Sequence, residues 1–576
     1  MEQFRQFSWK GVTILAKMDE ETEYLTSLPR RSRFVVIVLL SFCFISFVFL
    51  YASSSKPTVN SIDDLKKAWN MGQYNVHRLA DQENKHKSPS DITHAQSSTY
   101  RFGPSSGLVV SKGATLRLVI EARDRAGKQT KRGGDMWYAT LNSLKPKAST
   151  AGKVSDNDDG TYDVTFYAGW EGVARIDIIL VHPKEACSFV EKKVWPTEDR
   201  VVWVGTFRVK DQSKEDHTET CVLRRNETNW AKKCEYWYPS EIGGTMLICG
   251  KPEDEERWTC DDLYALKSLD ARIALAASEL IEGKEYLFEG ENVMQIVDEG
   301  PKHIQIEGAT DQQVVPALLP PCQPGLQAPG NSEGYWLNDQ WHSLRCQNFQ
   351  WGVNDSKAQE ASRCLRGKEV YFLGDTTARQ WFEAFQESIG LKFFLRNDDA
   401  HYRFLRHHPS LNLSVLYQAR PLLTTSSKVP FEEVQFEVDV LDSLKNPKCN
   451  YIIFLSLWSD TNWDRPSFTK RLNLTKEAIE RLTVRCPEAR VVVRSPHPVA
   501  HGTFETSAYA DNILLFGIKD LMTETFRNTQ ASFLDVWDMS LAYPSPNKRD
   551  MPHEVTQQGV NLFMSYVCQS STRSDT

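Results

Sequence analysis

Residues 369–381 read EVYFLGDTTARQW, and this stretch decides the fold of the C-terminal half of the chain. An apolar run over Glu369–Leu373 ends at Gly374, and the polar residues after it lead into a segment with helical periodicity over Ala378–Gly390. The order predicts a buried strand, a tight turn and a helix. A hydroxyl at the start of that helix would lie among backbone N–H groups that have no partner within the helix.

Three further apolar runs follow at intervals that leave room for helices. They are Cys449–Leu457, Ala489–Val493 and Ser532–Trp537, with a helical segment over Lys476–Leu482 between the first two. Continuous apolar strands that alternate with helices predict a doubly wound parallel sheet, which we assign to residues 306–576. In this architecture the reactive groups gather beyond the carboxyl ends of the strands.

Two distant motifs could supply the chemistry of such a site. Thr376 follows the first strand, and an Asp-x-x-His motif, Asp550 to His553, lies about 175 residues downstream. A histidine can accept the hydroxyl proton and return it later, while a carboxylate fixes the tautomer of the ring. The alternative interpretation is structural, because Asp375, Thr376 or Thr377 could simply cap the helix.

The N-terminal half has a different pattern. Short runs with alternating apolar residues, such as Leu116–Glu121 and Thr161–Tyr167, are separated by turn residues that include Asp159-Gly160. This pattern predicts an antiparallel, immunoglobulin-like β-sandwich over residues 96–305, which ends in a cysteine-rich and aromatic extension.

A membrane anchor is predicted near the N-terminus. Residues 34–52 form nineteen positions without a charge, preceded by Arg30, Arg31 and Arg33. The length suits a bilayer, and the positive-inside rule predicts a cytoplasmic tail over residues 1–33, a polar stem over 53–95 and about 520 residues in the lumen. A cleaved signal peptide, and hence secretion, is the alternative.

Cysteines and sequons agree with an oxidising compartment. Eleven of the 12 cysteines follow the apolar segment and show no zinc-ligand spacing, so disulfides are expected, with one thiol left over. The Asn-x-Ser/Thr sequons also follow it, at Asn226, Asn354, Asn412 and Asn473. A net charge of -7 gives no indication of nucleic-acid binding, and no metal-binding motif is present.

Two pairs of blocks resemble known families. DNDDGTYDVTF and GWEGVARIDIILVHPKEA are similar to the neurexophilin domain, and GDTTARQWFE with DMPH is similar to the paired blocks of the PC-esterase group of GDSL/SGNH-like proteins. Together with the anchor, the chain resembles the neurexophilin and PC-esterase domain family. Relatives of the esterase part O-acetylate polysaccharides or sialic acids in the Golgi.

The resemblance implies a type II Golgi O-acetyltransferase that acts on sialylated glycoproteins, with acetyl-CoA as the donor and no tightly bound cofactor. Thr376 would carry the acyl group, His553 would be the general base and acid, and Asp550 would orient it. Asn462 is the expected oxyanion donor, and Arg379 and Arg494 are expected to contact the substrate.

The sequence departs from the family pattern at the nucleophile. The pattern has Gly-Asp-Ser, whereas this chain has Gly374-Asp375-Thr376, and the additional methyl group restricts the rotamers of the hydroxyl. Two alternatives to the transferase therefore stay open: an O-acetyl esterase with water as the acceptor, and a catalytically silent ligand that binds a protein partner through the neurexophilin-like domain.

Overall fold

The structure is a computed structural model, and it describes residues 90–568 with internal gaps. The gaps are 197–202, 210–215, 225–229, 238–245, 255–256, 269–282, 289, 309–318, 349–354, 390–402, 421–427, 431–434, 459–462, 500–511 and 545–550. The predicted tail, the apolar segment 34–52 and all but the last residues of the predicted stem lie outside the described residues. The folded region already includes Ile92 and Ala95, which are buried.

The first part of the described chain is almost entirely β-structure. Its strands are β1 Thr99–Phe102, β2 Val109–Ser111, β3 Thr115–Glu121, β4 Met136–Leu144, β5 Lys147–Ala151, β6 Lys153–Asp156, β7 Thr161–Tyr167 and β8 Gly172–His182. A short helix, α1 Lys184–Phe189, and a π-helical turn, Val190–Val194, follow β8. The remaining strands before the α/β region are β9 Trp203–Phe207, β10 His217–Arg224, β11 Lys233–Trp237, β12 Met246–Gly250, β13 Leu263–Ser268, β14 Gln295–Ile296, β15 His303–Glu307, β16 Gly334–Leu337 and β17 Gln340–Ser343. Single 3-10 turns occupy Cys260–Asp262, Glu285–Leu287 and Gly290–Asn292.

Two of the sheets form a sandwich, as the alternating pattern predicted. One has the order β1-β3-β7-β6 and the other β17-β16-β5-β4-β8-β15-β2. Alternate residues of β3 and β7 face those of β4 and β8 in one core, which includes Leu118, Val164, Leu141 and Ile176. The alternation of polar and apolar residues therefore fixes which face of each strand is buried. An immunoglobulin-like strand order stays a prediction, because the larger sheet contains a parallel pair, β15 and β2.

The cysteine-rich extension is a separate sheet. Its order is β11-β12-β10-β9-β13-β21, where β21 is Val429–Pro430, a short strand from the C-terminal half. The disulfides Cys221–Cys249 and Cys234–Cys260 join neighbouring parts of this sheet.

The C-terminal region alternates strands and helices. Its elements are α2 Asp355–Leu365, β18 Glu369–Gly374, α3 Thr376–Ser388, β19 Arg403–His408, a 3-10 turn Pro409–Leu411, β20 Leu413–Ala419, α4 Glu437–Ser443, β22 Tyr451–Ser456, α5 Arg465–Arg485, β23 Arg490–Arg494, α6 Asn512–Phe526, β24 Ser532–Leu534, α7 Trp537–Ala542 and α8 His553–Cys568. The expected strand at residues 532–537 ends earlier, and Trp537 begins α7.

These strands build the predicted doubly wound sheet. Its order is β19-β20-β18-β22-β23-β24, and every neighbouring pair is parallel except the antiparallel edge pair β19 and β20. The parallel strands thus follow the order 2-1-3-4-5, which places the topological switch point between β18 and β22. Apolar side chains cover both faces of the sheet in two cores.

The two halves of the chain share structure across the expected boundary at residue 306. The hairpin β16–β17 extends the larger sandwich sheet by pairing with β5. Trp336 of this hairpin donates its indole N–H to the carbonyl of Met539 in α7, 2.8 Å away. The hairpin therefore belongs to the sandwich by its strand pairing and to the α/β region by its packing.

Disulfides use ten of the cysteines after residue 52. Besides the two bridges of the cysteine-rich sheet, the structure has Cys322–Cys346, Cys364–Cys568 and Cys449–Cys486. Cys187 is outside the five bridges, which agrees with the expectation of one remaining thiol. Five disulfides indicate a lumenal or secreted environment.

Among the described residues, no helix is both long and apolar enough to cross a membrane.

Candidate functional site

The turn after β18 has a geometry that requires glycine. Gly374 has a φ of 147°, and a Cβ at this position would lie 2.4 Å from the carbonyl oxygen of Ser456. Any side chain would collide with the backbone of the neighbouring strand β22. Position 374 therefore has to be glycine. This close approach brings the start of α3 to the carboxyl end of both strands.

Asp375 caps α3, as the structural interpretation predicted. Its carboxylate accepts hydrogen bonds from the backbone N–H groups of Thr377 at 3.0 Å and Ala378 at 3.2 Å. The hydroxyl of Ser456, at the end of β22, donates to the same oxygen at 3.2 Å. Asp375 is buried, so these donors replace the water that would otherwise solvate its charge.

Thr376 differs from its two neighbours in exposure. It is the first residue of the 13-residue helix α3 and is exposed, whereas Asp375 and Thr377 are buried. The cap is therefore supplied by Asp375, and the hydroxyl of Thr376 is accessible at the positive end of the helix dipole. The cap and the residue predicted as nucleophile are thus different residues, and the role of Thr376 stays a prediction.

The position of the turn is that of a binding site in this fold class. Gly374 pairs with Ala419 of β20 on one side and with Ser456 of β22 on the other. The turn between β18 and α3 therefore opens at the switch point of the sheet, where the crevice of an open α/β sheet lies.

Arg494 is the most unusual side chain at this edge. It ends β23, pairs with Ser456 in register and is completely buried. Its guanidinium lies over the indoles of Trp381 and Trp458, 5.6 and 5.8 Å from the ring centroids. Burial lowers the pKa of Arg494 to about 9, and the nearby charge of Asp375 opposes that shift. The group is still a cation at neutral pH.

Met551 of the Asp-x-x-His motif lies at the same edge of the sheet as Arg494. The sulfur of Met551 lies 2.8 Å from Nη2 of Arg494, and the same nitrogen lies 2.7 Å from Nδ1 of His497. Met551 is buried, whereas His553, the first residue of α8, is exposed. Of the downstream motif, Met551 therefore lies at this sheet edge, through its contact with Arg494.

His553 does not contact Thr376 in this structure. Its Nε2 lies 3.9 Å from Oε2 of Glu387, in the last turn of α3. Eleven residues of helix separate Thr376 from Glu387, which is about 16 Å along the axis. The length of the Glu387 side chain plus the 3.9 Å between Glu387 and His553 is shorter than this distance along α3. The imidazole is therefore beyond hydrogen-bonding reach of the Thr376 hydroxyl.

The other predicted site residues have different outcomes. Asp550 and Asn462 lie outside the described residues, so their roles stay predictions. The guanidinium of Arg379 forms an ion pair with Glu383 at 2.9 Å and lies 5.1 Å from the ring of Phe404. Arg379 is consequently engaged along α3 and with the edge strand β19.

The sequons are partly described. Asn412 and Asn473 are both exposed, at the turn before β20 and on α5, which suits glycan attachment. Asn226 and Asn354 lie outside the described residues. Within the part of the chain that the structure describes, no group of three His, Cys, Asp or Glu side chains could hold a metal ion.

Met551 and Trp381 also belong to this site, although no sequence pattern assigned them to it. Both are apolar residues of a kind common in protein cores. Met551 is one of the two variable positions of the Asp-x-x-His motif, so the motif gave it no role. Burial of an arginine against them depends on the tertiary fold, so no local pattern could have indicated it. His497 follows Arg494 by three residues in the stretch RSPH, which was the one available signal.

Comparison with known protein families gives two matches. Residues 85–252 match the model of Neurexophilin, and residues 341–568 match the model of the NXPE family member 4-like, C-terminal domain. The first match covers β1 to β8 of the sandwich and four of the six strands of the cysteine-rich sheet, and the second covers the doubly wound sheet with the turn at Thr376. Over these two stretches the chain is similar to neurexophilin and to the C-terminal domain of NXPE family member 4-like proteins.

Proposed function

We propose that this protein is a Golgi glycan O-acetyltransferase of the PC-esterase type. The observation that carries the proposal is the placement of Thr376: an accessible hydroxyl at a helix N-terminus, at the switch point of a 2-1-3-4-5 sheet. The acceptor in this proposal is a hydroxyl of sialic acid on a glycoprotein, and acetyl-CoA is the donor. The five disulfides support a lumenal location for the reaction.

The reaction proceeds in two steps. In the first, Oγ of Thr376 attacks the acetyl carbonyl, its proton passes to His553, and the thiol of the donor leaves with a proton as the ester on Thr376 forms. In the second, the sugar hydroxyl attacks that ester, His553 accepts its proton, and Thr376 regains a hydrogen as the acetylated sugar leaves. The backbone N–H of Thr376 is the candidate donor for the developing oxyanion, because Asp375 already accepts from those of Thr377 and Ala378.

This chemistry requires the histidine to move. In the structure His553 is paired with Glu387, and both side chains are about two-thirds exposed, at 64% and 65%. An ion pair so open to solvent contributes little free energy, about 0–1 kcal/mol. Leaving Glu387 is therefore a small barrier, and the active arrangement needs the start of α8 to approach the start of α3.

The test is expression of the full chain in cells that lack O-acetylated sialic acid, followed by mass spectrometry of released sugars. Wild type is expected to add acetyl groups, Thr376→Ala to add none, and His553→Ala to lose about 100- to 10,000-fold in rate. Thr483→Ala and His407→Ala are the controls, because Thr483 is half-buried on α5, His407 is exposed on the edge strand β19, and neither belongs to the turn. Acetylation by Thr376→Ala at the wild-type rate contradicts the proposal.

An esterase with the same residues would use water as the acceptor. The same cells supplied with O-acetylated sialic acid separate the two activities, because an esterase removes the label that a transferase adds.

A second function, binding of a protein partner, is favoured by an exposed apolar row on the sandwich. Leu144, Val173 and Val109 have exposed fractions of 93%, 55% and 55%. Val173 and Val109 both pair with Gln305, and Leu144 is level with Val173 across β4 and β8, so the three lie on one outer face. Exposed apolar clusters of this kind mark interaction surfaces.

The binding function has its own test. Soluble lumenal chain carrying Leu144→Asp and Val173→Asp should lose binding to cell surfaces, measured by flow cytometry, while Thr376→Ala should keep it. Equal binding by wild type and the double variant contradicts a role for this face.

A further inference from the structure

Arg494 is a buried cation with a hydrogen-bond donor that has no partner among the described residues. Among the described residues it forms no ion pair with a carboxylate, although it is completely buried. Its Nη1 donates to the carbonyl of Ser495 at 2.9 Å, and Nη2 contacts Nδ1 of His497 and the sulfur of Met551. Nε has no hydrogen-bond partner among these residues. The charge of Asp375 lies near enough to favour the cation, but no carboxylate among the described residues contacts the guanidinium. A buried cation without such a contact is disfavoured, and such features persist where they serve a function.

Other arginines of this chain show what the edge of a guanidinium formed by Nε and Nη2 binds. In four other arginines the edge formed by Nε and Nη2 grips a single carboxylate; the pairs are Arg208–Asp216, Arg345–Glu333, Arg471–Glu437 and Arg481–Asp442. In Arg494 this edge is the one with the vacant Nε and the Nη2 that contacts Met551. A thioether is a weak acceptor, so it is a poor substitute for a carboxylate.

We propose that Arg494 anchors a carboxylate of the acceptor, and that the side chain of Met551 covers this anchor until the acceptor displaces it. This inference rests on the proposed transferase function, and it names the acceptor class: a sugar that carries a carboxylate. Arg494 acts as a specificity-determining residue, because it touches the substrate away from the reacting hydroxyl.

The edge of Arg494 formed by Nε and Nη2 suits a planar carboxylate. The guanidinium lies 5.6 and 5.8 Å from the ring centroids of Trp381 and Trp458. A carboxylate can accept from both nitrogens of this edge at once. His497 accepts from Nη2 through Nδ1 and packs edge-on against Trp458, with 4.9 Å between ring centroids. It thereby holds the guanidinium plane in place.

Displacement of Met551 also affects the proposed base. Only Pro552 separates Met551 from His553, so a shift of the methionine backbone changes the position of the imidazole relative to Glu387. A carboxylate that expels Met551 from Arg494 would thus also loosen the ion pair that keeps His553 away from Thr376. Acceptor binding and assembly of the catalytic pair would then be one event.

The test is a binding measurement that needs no catalysis. The methyl resonances of methionine in the intact lumenal chain are followed by NMR, with the signal of Met551 assigned by its loss in Met551→Leu. Titration with the methyl glycoside of sialic acid is expected to shift this signal, and the methyl ester of the same sugar is expected not to. Inorganic phosphate serves as a third ligand, and Met539, which is buried in α7, is the internal reference.

Arg494→Lys removes the bidentate edge but keeps the charge, and it should weaken binding of the acid roughly 10- to 100-fold. If this variant does not fold, Met551→Ala gives the reciprocal test, because removal of the cover should tighten binding of the acid. Equal shifts with acid and ester, a larger shift with phosphate, or no shift at all would overturn the proposal. A normal shift in Thr376→Ala without transfer in wild type would instead refute only the transferase.

Discussion

The imidazole of His553 lies 3.9 Å from the carboxylate of Glu387, at the opposite end of α3 from Thr376. The predicted Asp-x-x-His motif therefore lies beside α3, but His553 is at the C-terminal end of this helix and Thr376 is at its N-terminal end. Met551, two residues before His553, contacts the buried guanidinium of Arg494. For the proposed transferase this arrangement would be a resting state, and each component of it can be tested separately.

Release of His553 should raise activity. Glu387→Gln removes the charge that pairs with the imidazole, so the rate of acetyl transfer is expected to increase by up to about fivefold, the limit set by an exposed ion pair. Glu480→Gln, on the exposed side of α5, is the matched control. A lower rate in Glu387→Gln than in the control would show that the pair supports catalysis.

The methyl group of Thr376 should slow the reaction. Thr376→Ser frees the hydroxyl to choose among rotamers, and relief of about 0.5–1.5 kcal/mol of rotamer strain corresponds to roughly 2- to 10-fold in rate. The measurement is the initial rate of acetyl transfer at saturating donor. An inactive serine variant would contradict attack by this hydroxyl.

Loss of the Asp375 cap should affect both stability and function. Asp375→Ala leaves two backbone N–H groups and the Ser456 hydroxyl without their acceptor, so the free energy of unfolding should fall by about 1–3 kcal/mol. Asp464→Ala removes a comparable cap, which accepts from the backbone of Ser467 at the start of α5. Urea unfolding should show a decrease in both variants, whereas acetyl transfer should fall only in Asp375→Ala.

Stability should decrease as the pH rises towards neutrality. Burial, with Glu333 and Asp535 nearby, raises the pKa of Asp538 to about 7, while Lys519 opposes the shift. A carboxyl whose pKa is raised by folding stabilises the protonated folded state. This contribution is complete below about pH 4 and is lost as the pH approaches 7, at a slope of up to about 1.4 kcal/mol per pH unit.

Asp538→Asn tests this pH dependence. Thermal unfolding between pH 5 and 8 should show a flatter profile than wild type, and Asp261→Asn, in the 3-10 turn Cys260–Asp262, should retain the wild-type profile. An unchanged slope in Asp538→Asn would mean that Asp135 dominates the dependence, since burial raises the pKa of that carboxyl to about 6.

The disulfide Cys364–Cys568 should stabilise the placement of α8. It closes a loop with a sequence separation of 204 and joins the end of α8 to the end of α2. Replacement of both cysteines by alanine should lower the free energy of unfolding by about 2–5 kcal/mol. The corresponding change at Cys449–Cys486, with a separation of 37, should have a smaller effect. Calorimetry of both variants provides the comparison.

Local patterns in the sequence were sufficient for the elements that carry strong periodicity. The alternation in β3 and β7 predicted the sandwich, and the run before Gly374 predicted the strand, turn and helix around Thr376. The order of the parallel strands and the packing of Arg494 could not be predicted, because they depend on contacts between segments that are distant along the chain. Likewise, nothing local to His553 indicates that Glu387, rather than Thr376, is its neighbour.

The hairpin β16–β17 and the strand β21 have a practical consequence for dissection of the gene. Each comes from the C-terminal half yet completes a sheet of the N-terminal half, through β5 and β13 respectively. A fragment that stops near residue 306 would lack the strands that pair with β5 and β13 and would lack Trp336. The exposed strand edges would then promote aggregation. Neither half is expected to behave as an independent module, so loss of activity on truncation would say nothing about where the active groups reside.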